Sequence, residues 1–282
     1  MGTSTSSGGS PGGAPLIPPW VPPVPPAPRP DASPDGPPPN PEPASPERPR
    51  LQPKPGLAPT RRFLGARLRL GHYAKNGSRD DLRSGLKAYT SKGLGGSRRA
   101  AARMAGTSRT VGRLHGVLEA LSRGEALPPE IGIDAASLAG RNAKEIGDAI
   151  AEAIRPPDGT LDAEASRDAI AQALSDLVEQ VPDVDLILLT PEQIELVIER
   201  YVAYDLCRRI ELDIGLHIQD KAPDAAAAVS RIEDMKEYVR ECVAAQFRSA
   251  RDSGRRLTRS AAASIANVVI EETFRVFEDY VS

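Results

Sequence analysis

From Arg61 onward, apolar residues return every three or four positions, the repeat of a single helix face, and alternation by two is scarce. The stretch RRFLGARLRLGHYAKNG places Phe63, Leu64, Leu68 and Leu70 ahead of a stop at Gly77. Ser78 or Asp80 can cap a short helix running to Tyr89, with Leu82, Leu86 and Tyr89 on its apolar face. GLGG at 93–96 reads as a turn, and Ser97–Ala105 and Thr107–Ser122 read as two helices broken at Gly106. Further on, 137–154 aligns Leu138, Ile146, Ile150 and Ile154, and 161–181 aligns Ile170, Leu174, Leu177 and Val181. Thr190-Pro191-Glu192-Gln193 has the form of a capping box with proline at the first helical position. It opens a stripe of Ile194, Val197, Ile198, Tyr201 and Tyr204, continued by Leu206, Ile210, Ile214 and Ile218. Pro223 and Asp224 mark a break and a new cap, before Val229, Ile232, Met235, Val239, Val243 and Phe247. A last helix carries Ile270, Phe274, Phe277 and Val281. VDLILL at 184–189 is the one strand-like run, and its place beside a cap suits a buried lead-in equally well. The expected fold is all-α: a helical bundle preceded by a long disordered proline-rich N-terminal arm.

The arm follows from composition. Of 28 prolines in the chain, 21 fall within residues 1–60, where large apolar residues are few. Such a segment buries too little surface to offset the entropy of ordering its backbone. LIPPWVPPVPPAP at 16–28 favours an open polyproline II conformation. Fully extended, residues 16–59 would reach on the order of 130 Å, which makes the segment a tether. The remaining residues suffice for a substantial core.

Net charge is −2, yet the charge is sharply segregated. Residues 61–123 carry a net of +12 and residues 124–282 a net of −14. Three parts are therefore expected: the arm at 1–60, a basic helical module at 61–123 and an acidic helical bundle at 124–282. Either the two helical parts dock on each other or the basic one meets an anionic partner.

Searches for chemistry return little. His72, His115 and His217 are far apart, and none lies in an H-E-x-x-H or Cys/His cluster, so surface or half-buried histidines and no metal are expected. Cys207 and Cys242 sit in helical patterns and read as small buried residues. There is no Walker A loop and no G-x-S-x-G elbow, and no cofactor is implied. No run approaches eighteen apolar residues, so a soluble, cytoplasmic, non-catalytic protein is expected. AARMAGTSRTVGRLHGVL at 101–118 imitates a helix-turn-helix, but Thr107 follows the turn glycine and Val111 arrives one position early. A one-residue slip turns a helix face by about 100°. The alternative reading of the chain is nevertheless a nucleic-acid-binding module on 61–123, using Arg98, Arg99, Arg103, Arg109 and Arg113.

The arm offers the other candidate site. Removal of Met1 before so small a residue leaves the amine of Gly2 at the end of a long tether. MGTSTS also fits a loose myristoylation pattern, but the Ala/Arg/Gly/Pro-rich composition points to a bacterial chain, where that modification is not expected. Leu16, Ile17, Trp20 and Val21 can anchor the arm on a partner, since aromatic anchors dominate interface energy.

On the residues MGTSTSSGGSPGGAPLIPPW, RRFLGARLRLGHYAKNG, LKAYTSKGLGGSRRAAARMAGTS and RLHGVLEALSRG, the chain resembles the QatB family of the bacterial four-protein Qat anti-phage system. The likeness covers roughly the first 125 residues, to which the acidic half adds little. It implies a defence protein acting beside an ATPase, a QueC-like enzyme and a TatD-like nuclease. By analogy with QueC-like enzymes that attach a deazaguanine to a partner's N-terminus, Gly2 would be the acceptor and residues 3–20 the recognised tail.

Overall fold

A computed structural model describes residues 62–127, 131–138 and 140–280. The expected arm, with Gly2 and the Leu16–Val21 anchors, lies outside the described residues, as does Val281. Among the described residues there are helices and no strands. In chain order they are α1 (Leu64–Asn76), α2 (Arg79–Ala88), α3 (Ser97–Arg103), α4 (Ala105–Ser122), α5 (Ala143–Ile154), α6 (Leu161–Gln180), α7 (Pro191–Lys221), α8 (Ala225–Asp252) and α9 (Ala262–Glu278).

Their ends follow from local chemistry. Gly77 closes α1 in the left-handed conformation (φ 71°), where a Cβ would be strained. The Ser78 side chain then accepts from the Asp81 amide and opens α2. Asn142 and Glu145 form a reciprocal capping box on α5, and Thr190 and Gln193 form another on α7, with Pro191 at its first position. Asp224 accepts from Ala227 to start α8.

The 31-residue α7, about 46 Å long by its helical rise, is the spine of the body. It packs against α1, α4, α6 and α8, while α9 covers α3, α4 and α8. One hydrophobic cluster runs from Ala66 to Phe277, so helices of the basic and the acidic stretch share a core.

Several expectations change at the level of single faces. Leu64 and Leu68 are exposed, because the face α1 turns inward carries Ala66, Leu70, Gly71, Tyr73 and Ala74. A Cβ on Gly71 would come within 3.2 Å of His217, and one on Gly85 of α2 within 2.5 Å of Leu70. Glycine at those sites lets α1 approach α7 and α2 more closely than a leucine face could. Val181 and Val229 are likewise exposed, at the end of α6 and the first turns of α8. The segment 137–154 is two pieces: a short 3-10 turn holding Leu138, then α5, separated by Gly140 (φ 76°). The 184–189 run is a lead-in with Leu186 and Leu189 buried. The break between α3 and α4 falls at Met104, not at Gly106, which lies within α4. The Met104 side chain is buried and its amide bonds back to Ala100 and Ala101, so a core contact fixes the joint where glycine freedom does not.

Candidate functional site

The five arginines proposed from sequence are all exposed, Arg98, Arg99 and Arg103 on α3 and Arg109 and Arg113 on α4. None forms an ion pair among the described residues, whereas Arg208, Arg209 and Arg275 each hold a carboxylate. The helix-turn-helix resemblance is corrected here. A single residue joins α3 to α4, where that motif uses a turn of three or four.

Behind the arginines, α4 is held by buried polar groups. Thr107 donates to the carboxylate of Asp205, which is fully buried. Arg209 donates from Nε to the same Asp205 oxygen at 3.1 Å and reaches Asp162 of α6 at 3.1 Å. One layer up, the hydroxyls of Ser166 and Tyr201 are 2.8 Å apart. Burial raises the Tyr201 pKa, and the Asp205 charge raises it further, so the phenol stays protonated. These groups hold α4, α6 and α7 in register.

His115, expected at the surface or half-buried, is buried at 5% exposure. The reason is that α7 and the loop before α9 close over it, with Glu195 and the Leu257 backbone beside the ring. Burial lowers its pKa, with Glu119 and Glu195 pulling the other way. His72 is exposed and His217 half-buried. Among the described residues no three metal-ligating side chains cluster.

A groove of about 680 Å³ runs between α5, α6, α7 and α8. Its charges are largely satisfied within it: Arg208 meets Asp168 at 3.2 Å and Lys236 meets Glu211 at 3.4 Å. Arg240 lies over the Tyr204 ring, whose hydroxyl donates to Asp176. The Cys207 thiol in the groove is pushed up to about 12 by burial, so it is not a nucleophile near neutral pH. Nothing in this groove pairs a nucleophile with a base.

Sequence reasoning missed Arg259. Its guanidinium donates to the Gly116 carbonyl of α4 at 3.4 Å, so the loop between α8 and α9 joins the arginine-bearing face. Residues 253–270 contain no acidic residue, but nothing local in the sequence ties that stretch to α4.

An all-helical body with a basic face and a neutralised groove defines the class, a helical-bundle protein without a recognisable catalytic arrangement among its described residues. The family model described as "Qat anti-phage system associated protein QatB" matches residues 95–277, and the chain belongs to that family. No curated protein and no solved structure matches it. The match extends the likeness through the acidic helices α5 to α8 and into α9, which add little when read from sequence. Membership makes the protein a component of a Qat anti-phage system, and no transmembrane-length apolar helix occurs among the described residues.

Proposed function

We propose that the chain is a non-catalytic, cytoplasmic component of its defence system that presents its N-terminal arm to a QueC-like partner enzyme and scaffolds the assembly. The ATPase and the TatD-like nuclease of the same system are the further partners. Gly2 is the acceptor of an N-terminal modification, and Leu16, Ile17, Trp20 and Val21 are the docking residues.

The observation that carries this reading is the division of the sequence. Residues 1–60 hold 21 prolines and a lone tryptophan, while the described residues from 62 onward build an apolar core among themselves. A proline-rich segment reaches a partner's groove with little entropy left to lose, and Trp20 supplies a large anchor. Among the described residues the groove cations are largely paired and the Cys207 thiol is protonated.

The test is deletion of residues 2–20 with Met1 retained as the start. The truncated protein should keep its helical circular dichroism and melting temperature, yet lose capture of the QueC-like enzyme and protection against phage. Normal capture and normal protection by the truncated chain would refute the proposal.

A further inference from the structure

We propose that α3, α4 and the loop between α8 and α9 form one composite cationic surface that binds the phosphate backbone of nucleic acid. The proposal goes beyond the arm and uses none of its residues.

Two stretches of the chain lack acidic residues altogether. Residues 82–118 contain eight lysines and arginines and no carboxylate, and residues 253–270 contain Arg255, Arg256 and Arg259 and no carboxylate. They are far apart in sequence, and the fold brings them together. Arg259 bonds the Gly116 carbonyl, and Ala263 at the start of α9 lies against Gly112, where a Cβ would meet it at 3.3 Å.

The register along α4 makes this meeting informative. Positions 109, 113 and 116 follow the i, i+4, i+7 spacing of one helix stripe. The first two are exposed arginines, and the third is a glycine whose empty side-chain space holds the Arg259 guanidinium, 3.5 Å from where a Cβ would stand. The loop therefore supplies the third cation of a line, spaced by about 6 Å and then about 4.5 Å along the helix. Arg98, Arg99 and Arg103 are exposed on α3, which Met104 alone joins to α4, and Arg256 is exposed in the same loop as Arg259. None of these side chains is neutralised by an ion pair among the described residues.

The chemistry of the face selects the partner. Buried protein interfaces are organised around apolar or aromatic anchors. The large exposed apolar residues of this protein, among them Leu64, Leu68, Leu212, Leu216 and Val229, lie on other segments, and none falls within 95–123 or 253–263. A phosphate backbone needs no such anchor. It is bound by cations that displace its counterions, and the planar fork of arginine engages phosphate oxygens two at a time. The stripe also stands on a fixed base, because Thr107, Val111, Leu114 and Leu118 on the inner face of α4 are buried in the core. The fixed helix keeps the bases of these side chains in line, so no backbone has to be ordered when a polyanion lies along them.

The experiment titrates the full chain into a fluorescently labelled mixed-sequence DNA duplex and follows anisotropy from about 50 to about 200 mM salt. Log affinity should fall linearly with log salt. Arg109→Gln/Arg113→Gln and Arg256→Gln/Arg259→Gln should each weaken binding about tenfold and flatten the slope by about two. Lys144→Gln/Arg208→Gln removes the same charge at ion-paired sites in the groove between α5 and α8 and should stay within about twofold of the parent. Melting temperatures read alongside show whether each variant is folded. Absence of binding at about 50 mM salt, a loop variant that binds as the parent does, or a control that loses as much would overturn the proposal. So would polyglutamate competing as well as DNA at equal charge, since it would assign the face to an acidic protein.

Discussion

Replacing Arg209 by methionine tests the clamp that holds α4 against α7. The Asp205 carboxylate is fully buried, and its two partners are the Thr107 hydroxyl and the Arg209 Nε. Arg209 is itself only 16% exposed and shares its charge with Asp162. Methionine keeps the aliphatic stem but leaves a buried carboxylate with one neutral donor. Removing one partner of a buried pair costs about 3–5 kcal/mol, largely the desolvation of the charge left behind. For a body of this size each kcal/mol moves the melting temperature by about 2–4 °C, so a fall of roughly 10 °C is expected. Restoring neutrality with Asp205→Leu/Arg209→Met should recover at least half of that loss, because two apolar side chains replace a buried pair at little net cost. Thermal unfolding followed by circular dichroism at neutral pH reads both variants. A single variant that melts within about 2 °C of the parent would show that Asp205 is solvated, and the clamp would fall with it.

Two further outcomes follow from buried titratable groups. Burial holds the Cys207 thiol at about 12 and raises that of Cys242, so neither should react with iodoacetamide at mildly alkaline pH unless the protein is unfolded, as mass spectrometry would show; fast labelling of the native chain would contradict their burial. His115 has a folded pKa below its unfolded value of 6.5, so its stabilising contribution is present above that pH and is lost as pH falls through the folded value. Relative to His115→Gln, the parent should therefore lose stability between neutral pH and about 5, by at most about 1.4 kcal/mol per pH unit, in urea unfolding; a difference between the two that stays constant with pH would refute this.

The helices were legible because their signals are local. The Thr190 and Asp224 caps, the Gly77 stop and the three-four spacing of Ile194 to Ile218 are written within a few residues of where they act. Which face turns inward was less legible. Leu64 and Leu68 outrank Gly71 and Ala74 on any hydrophobicity scale, but α2 and α7 approach the face that carries Gly71 and Ala74 beside Leu70 and Tyr73. The joint at Met104 was hidden for a similar reason, since a buried side chain sets it and glycine marks a different position. The arginines of α3 and α4 were visible as a basic run, and their exposure agrees with it. Arg259 was not, because its placement depends on a contact with Gly116 across 143 positions of chain. The hydrogen bonds around Asp205 were equally out of reach, as Thr107, Asp205 and Asp162 come from three helices.

Intact-mass spectrometry of the protein co-expressed with the QueC-like enzyme, against the protein expressed alone, bears most directly on the role of the arm. The account predicts loss of Met1 in both samples and an added mass on Gly2 only in the first, abolished when Gly2 is replaced by proline. Identical masses in the two samples, from a co-expressed enzyme shown to be active, would contradict it.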